Sequence, residues 1–326
     1  MVLALSAMAF FSSSASAAPS LSDVQAQVTR LQVQAANAAE GAQAAKVQLA
    51  SLTRTLSGIN QAAAAQSQTV AQLRKSLGAI AVEQYRSGGL SQSLELLFSS
   101  DPTLYLSSAG SLDALTRRKS VQLRKYAVAQ QRLKATTFTV NDKLTLVKAA
   151  QARLIAQTAQ AQAKLKEAEK LLAALKKSDR ARLAKLALLQ ENADQASSLA
   201  LASKIKISGR AGIALKFALK QIGDRYVFGA AGMIYWDCSG LTMRAYQAAG
   251  VSLPHSAAAQ VNYGKRVPLN ALKPGDLVFF GSPIGHVGIY FGGGKMVDAP
   301  HSGSRVKVES FGSHFGWERF VAARRF

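Results

Sequence analysis

The chain has one cysteine, Cys238, and only Pro19 and Pro102 precede Pro254. A single thiol cannot form an internal disulfide, so the fold does not depend on oxidising surroundings. The scarcity of proline leaves the front of the chain free to form long helices. All four histidines and both tryptophans lie after residue 230, as does the cysteine. His255, His286, His301 and His314 show no metal-ligand spacing, so no metal is expected. The glycine run Gly292–Gly294 is followed by a strand pattern rather than a helix start, so it reads as a hairpin turn and not as a phosphate loop. A long alanine- and glutamine-rich front is thus joined, at about Ser203 to Gly209, to a glycine-rich globular back.

From Leu21 the apolar positions step by three and four through Val24, Val28, Leu31, Ala35, Ala38, Ala42, Ala45, Leu49, Leu52, Leu56 and Ile59, and again through Val70, Leu73, Leu77 and Ile80. That sustained period predicts a coiled-coil helix, about 95 Å long if it runs to Gln84 at 1.5 Å per residue. A second train runs through Leu123, Tyr126, Leu133, Val140, Leu144, Val147, Leu154 and Leu165 to Leu175, then Leu186 and Leu189. The two predict an α-helical coiled-coil hairpin over residues 20–202. Ser87-Gly-Gly-Leu90, Ser99-Ser-Asp-Pro102 and Ser107-Ser-Ala-Gly110 interrupt the pattern, so residues 86–112, with the apolar Leu94 to Leu106, read as short helices capping the tip. Ahead of this, the apolar run Val2 to Phe11 and Ala15-Ser16-Ala17 read as an export signal over residues 1–17, truncated at its front because no basic residue precedes it.

Cys238 stands in Asp237-Cys-Ser-Gly-Leu241, a tight polar turn into a short amphipathic helix closed by Gly250. A thiol at a helix start is placed for nucleophilic chemistry, because unpaired N–H groups and the helix dipole favour the thiolate. It needs a base and an orienting group. The segment from Gly285 to Ala299 reads as a hairpin of two alternating apolar runs around three glycines. With those glycines as the loop, Phe291 faces Lys295 and Asp298 lies opposite Gly288, so Asp298 and His286 meet on one face. His301, beyond Pro300, has the wrong parity.

The strings Tyr226-Val-Phe-Gly229, Asp237-Cys-Ser-Gly-Leu241, Gly250-Val-Ser-Leu-Pro254, Lys273-Pro-Gly-Asp-Leu-Val-Phe-Phe280, His286-Val-Gly-Ile-Tyr290 and Met296-Val-Asp-Ala-Pro300 resemble the NlpC/P60 family of bacterial cell-wall peptidases. The resemblance covers about residues 209–326 and implies a papain-like α+β domain. It implies Cys238 as nucleophile, His286 as base and Asp298 as third polar residue, a place the family commonly fills with His, Glu or Asn. It also implies Tyr226 and the Cys238 N–H at the oxyanion, with Ser239, Asp237 and His255 near the substrate. A plain loop role for His255 and a core role for Trp236 are the alternatives.

The resemblance further implies a secreted cysteine endopeptidase, without cofactor or metal, that cuts peptidoglycan stem peptides between D-isoglutamate and the following diamino acid. Its place would be the cell wall or the outer face of the cytoplasmic membrane. The front half is similar to coiled-coil regions that precede such hydrolases, which implies a septal membrane complex of the ATP-hydrolysing ABC type as a partner of the tip. The alternative is a non-catalytic scaffold that binds wall peptide and recruits other hydrolases. The 40 Lys and Arg against 18 Asp and Glu give a net charge of +22, with 24 basic and 12 acidic residues over 20–200 and 16 and 6 over 201–326. That field favours anionic polymers. With no nucleic-acid motif, wall polymers such as teichoic acids fit better than nucleic acid.

Overall fold

Three glycines and no proline fall between Leu21 and Arg86, and the segment is one unbroken helix, α1, Leu21–Arg86. In a computed structural model of the protein the described residues are 20–86, 102–205, 207–316 and 318–326. The start of α1 is held by a capping box: the Ser20 Oγ accepts from the Asp23 N–H at 3.2 Å, and the Asp23 carboxylate accepts from the Ser20 N–H at 3.1 Å. The expected export signal lies outside the described residues, as do Leu94 to Phe98 of the expected tip. Helix α2, Pro102–Ala174, runs through Ser107-Ser-Ala-Gly110 without interruption, against the expectation of short capping helices there. One glycine in a helix costs only about 1 kcal/mol, too little to end it. Helix α3, Lys177–Ala202, follows after a short break. No helix of the described residues is long and apolar enough to cross a membrane.

By mutual contacts the chain forms two compact units, one of Ala45–Arg153 and one of Met1–Ala44 with Leu154–Phe326. In the first, the half-buried positions of α1 include Leu49, Leu52, Leu56, Ile59, Ala63, Gln66, Val70, Leu73, Leu77 and Ile80, the period read from the sequence. On α2 the half-buried stripe runs through Tyr126, Ala129, Leu133, Thr136, Val140 and Val147. Leu123 and Leu144, expected in the seam, are 56% and 39% exposed. Two helices cover only one stripe of each other, so apolar residues beside it stay in water.

In the other unit, Val24, Val28 and Leu31 bury against Ala168, with Leu171, Leu172 and Leu175 around them. Further along, Ala38 and Ala39 meet Ala161, small side chains that let the two helices approach closely. The C-terminal part begins with helix α4, Gly209–Leu219, and the short strands β1 (Arg225–Tyr226), β2 (Ala231–Gly232) and β3 (Tyr235–Trp236). Helix α5, Cys238–Ala248, and a single turn, α6, Ala257–Gln260, come next. The main sheet comprises β4 (Lys265–Val267), β5 (Leu277–Phe280), β6 (His286–Gly292), β7 (Lys295–Asp298), β8 (Lys307–Ser310), β9 (His314–Phe315) and β10 (Glu318–Arg325). It is antiparallel in the order β4-β10-β5-β6-β7-β8, with β9 paired to β10.

Strand β5 is buried throughout, and its alternation divides the core. Leu277 and Phe279 pack with the α4 and α5 side chains Leu215, Leu241 and Tyr246, while Val278 and Phe280 join Met296 and Phe311 on the other face. Helices on one side of an antiparallel sheet are the α+β layering expected from the sequence. The open edge of β8 is closed by α3: the Val308 N–H donates to Ser198 Oγ at 2.8 Å, and Lys307 lies 3.3 Å from Asp194.

Candidate functional site

Asp237 is the N-cap of α5 and the hub of the turn that presents Cys238. One of its carboxylate oxygens accepts from the Gly240 N–H at 2.6 Å and the other from the Gly229 N–H at 2.9 Å. The ring of His255 lies 2.8 and 2.9 Å from the two oxygens, and the Ser239 hydroxyl donates to one of them at 3.3 Å. His255, expected near substrate or as a plain loop residue, therefore braces the cap. Gly240 is required by packing: a Cβ there would run into the Ala230 carbonyl and lie 3.0 Å from the Ala231 Cβ. Trp236 is 2% exposed, donates to Asp224 at 2.9 Å and meets Phe217 edge to face, so it is a core residue.

The hairpin brings His286 and Asp298 together, with Nε2 2.7 Å from Asp298 Oδ2. That bond commits Nε2 and leaves Nδ1 for another partner. The ring stacks on Phe315 at 4.8 Å. Next in the strand, the Val287 N–H faces the Cys238 sulfur, so the thiol lies against the backbone one residue on from His286. The register is reached differently from the expectation. Ile289 pairs with Val297 and Tyr290 with Met296, but Lys295 faces Gly292 rather than Phe291. The turn thus has two central residues, Gly293 and Gly294, both at positive φ, and a bulge at Phe291 absorbs the extra residue. Without the bulge a two-residue turn would place Asp298 on the wrong face. A Cβ at Gly288 would lie 2.6 Å from Met296 Sδ and 3.3 Å from Asp298 Cβ.

Behind the histidine stands a residue that sequence reading missed. Lys307 is opposite Asp298, and Glu309, two residues on, shares that face. Glu309 comes within hydrogen-bonding reach of Asp298 and lies 3.3 Å from Lys307. Asp298 Oδ1 and Glu309 Oε1 are both buried without a hydrogen-bond donor. Two carboxyls can bond to one another only if one holds a proton. Burial pushes Glu309 up to about 8, further raised by the Asp298 charge, and pushes Asp298 up to about 7, with Lys307 opposing. Of the two, Glu309 is the higher and so the one that keeps a proton. Alternation along β8 was the available signal, but it needed the pairing of β7 with β8, which no local motif gives.

Cys238 is 1% exposed and His286 4%. Over the sulfur lies Glu40 of α1, itself 2% exposed. The Cys238 Sγ donates to one Glu40 oxygen at 3.1 Å and the Ala257 N–H to the other at 2.9 Å. Burial raises the Cys238 thiol well above its ordinary value, with the Glu40 and Asp237 charges adding to it, and lowers His286 to about 4. Burial also raises Glu40 and Tyr226. The Tyr226 hydroxyl, close enough to feel the Cys238 charge, is buried without a partner. His301 bonds only within its own turn, to the Ser302 carbonyl and through its N–H to Ser304. Among the described residues no group of three His, Cys, Asp or Glu side chains could hold a metal.

Residues 223–325 match the model of the NlpC/P60 family. Over 106 residues the chain is 42% identical to the probable endopeptidase p60 of Listeria innocua, a match covering 32% of this chain and 22% of that protein. It is 46% identical over 91 residues to a probable endopeptidase of Mycobacterium tuberculosis, covering 28% of this chain and 24% of the other. It is 35% identical over 109 residues to the peptidoglycan endopeptidase RipA of the same organism, covering 29% and 23%. The matches thus span about a quarter of the length of these relatives. A solved NlpC/P60 family protein from Bacillus cereus aligns at 27% identity with a TM-score of 0.34, covering 35% of this chain and 39% of that one.

Proposed function

From the premise that an NlpC/P60 domain forms the C-terminal part of the chain, we propose that the protein is a cysteine endopeptidase acting on peptidoglycan stem peptides. The bond cut is that between D-isoglutamate and the following diamino acid, and the setting is the cell wall during remodelling or daughter-cell separation. The observation that carries the reading is that the only thiol sits at a helix start against the Val287 N–H, one residue on from His286, whose imidazole is already bonded to a buried carboxyl. Cys238 Sγ gives its proton to His286 Nδ1 and attacks the γ-carbonyl carbon. The Tyr226 hydroxyl and the Cys238 N–H stabilise the oxyanion. The C–N bond breaks as His286 returns the proton to the leaving amine, and a thioester remains. Water, deprotonated by His286, then adds and releases the γ-carboxylate and the thiol. Asp298 holds the ring and favours the imidazolium. The basic surface supports placement on anionic wall polymers, and the α1–α2 hairpin is the element offered to a septal membrane complex.

Mass spectrometry of purified wall peptides tests this. The peptides are incubated with the full chain, its Cys238→Ala variant and residues 204–326. The expected result is a new product ending in free isoglutamate, absent with Cys238→Ala. No cleavage by either unsubstituted form would leave the scaffold reading in its place.

A further inference from the structure

Glu40 is the one acidic residue between Val24 and Val82, in the alanine-rich stretch Ala35-Ala-Asn-Ala-Ala-Glu-Gly-Ala-Gln-Ala-Ala45. Burying a carboxyl is costly unless its oxygens are bonded. Both oxygens of Glu40 are bonded, one by the Cys238 thiol and one by the Ala257 N–H. Its neighbours are seated in the same way. The Asn37 amide donates to Glu318 at 2.7 Å, and a Cβ on Gly285 would lie 2.5 Å from the Asn37 side chain. Gln43 lies over Gly229, where a Cβ would be 3.2 Å away, and Gln32 over Gly303, where it would be 2.9 Å away. Ala36 joins the main core of the domain. Residues 32, 36, 40 and 43 form one face of a helix, and three glycines of the domain leave room for its side chains.

The group set on the sulfur is a glutamyl side-chain carboxyl. If the domain cuts after isoglutamate, as proposed above, that group is chemically the acyl product of the reaction. We propose that Glu40 is an intramolecular product analogue, seated on Cys238 by this stretch of α1, and that the cleft opens to substrate only when the stretch is drawn away. The seated state is also an inert one. Burial favours the neutral thiol and the neutral imidazole together, so the sulfur stays protonated while the helix covers it.

Because Cys238 is the only thiol, the rate of its alkylation by iodoacetamide in the full chain reads the cover directly and requires no peptidase activity. The unsubstituted chain should react about 100-fold more slowly than the same chain unfolded in urea, as a cleft open about 1% of the time gives. Asn37→Arg, too large to lie against Gly285, and Glu40→Ala should each speed the reaction about tenfold by shifting that population. Gln34→Ala, at an exposed position of the same helix, should leave it unchanged. Far-UV circular dichroism checks that each variant is folded. In the Asn37→Arg chain an excess of a dipeptide ending in D-glutamate should slow the alkylation, and one ending in D-alanine should not. Rapid alkylation of the unsubstituted chain, or folded variants that react no faster, would overturn the cover. Equal effects of the two dipeptides would overturn the mimicry. Failure to cut wall peptides would instead count against the proposed reaction and leave the alkylation result intact.

Discussion

Asp298 is fully buried, lies 2.7 Å from His286 Nε2 and has Glu309 within reach of its other oxygen. Removing it leaves the imidazole without its orienting partner, so Asp298→Ala should lower kcat/KM on wall peptides by about 100-fold or more. His301→Ala, which breaks only bonds within its own turn, should change it by less than about twofold, in line with its separation from the pair. Glu309 separates two possibilities. If it holds the proton, Glu309→Gln keeps a donor toward Asp298 and activity stays close to the parent, while Glu309→Ala falls about tenfold, as partners that orient a catalytic group commonly do. If Glu309 were ionised, the glutamine variant would lose a charge that supports the imidazolium, and its pH–rate profile would move to lower pH. At this scale the pairing of His286 with Asp298 was legible in the sequence, because a hairpin register is a local property. The sequence did not carry Glu309 or Glu40, whose meaning depends on elements distant in the chain.

Among the elements, the start of α5 and the β6–β7 hairpin set the site. Gly240→Ala would force a methyl group into the Ala230 carbonyl. The expected cost is about 1–3 kcal/mol, the range for overpacking a filled core, and urea unfolding would measure it. The hairpin shows the limit of reading from turn residues. Parity correctly placed Asp298 beside His286, but by a three-glycine loop where the chain uses a two-residue turn and a bulge. Both solutions satisfy the same alternation, and sequence alone does not choose between them. In α2, Ser107 to Gly110 looked like a break because serine and glycine favour turns. Helix on both sides outweighs that weak preference.

For the whole molecule, buried titratable groups make stability depend on pH. Asp298, raised from 3.8 to about 7, and Glu309, raised from 4.5 to about 8, lose their protons at higher pH in the folded chain than in the unfolded one. Their contribution is complete below the unfolded values and is lost as pH rises through about 8. His286, lowered from 6.5 to about 4, acts in the opposite sense, and only below pH 6.5. Between pH 6.5 and 8 the carboxyls alone remain, so the melting temperature of the domain should fall across that window. Glu309→Gln should flatten the fall. The net charge of +22 predicts retention on anionic cell walls that weakens as salt is raised, measurable by co-sedimentation. Two long helices and the hairpin register that brings His286 to Asp298 were determined by the sequence alone, because periodicity and turn glycines act over a few residues. That the cysteine is covered, by a carboxyl 198 positions earlier in the chain, was decided only by the tertiary structure. Nothing local distinguishes a glutamate that faces water from one that faces a thiol.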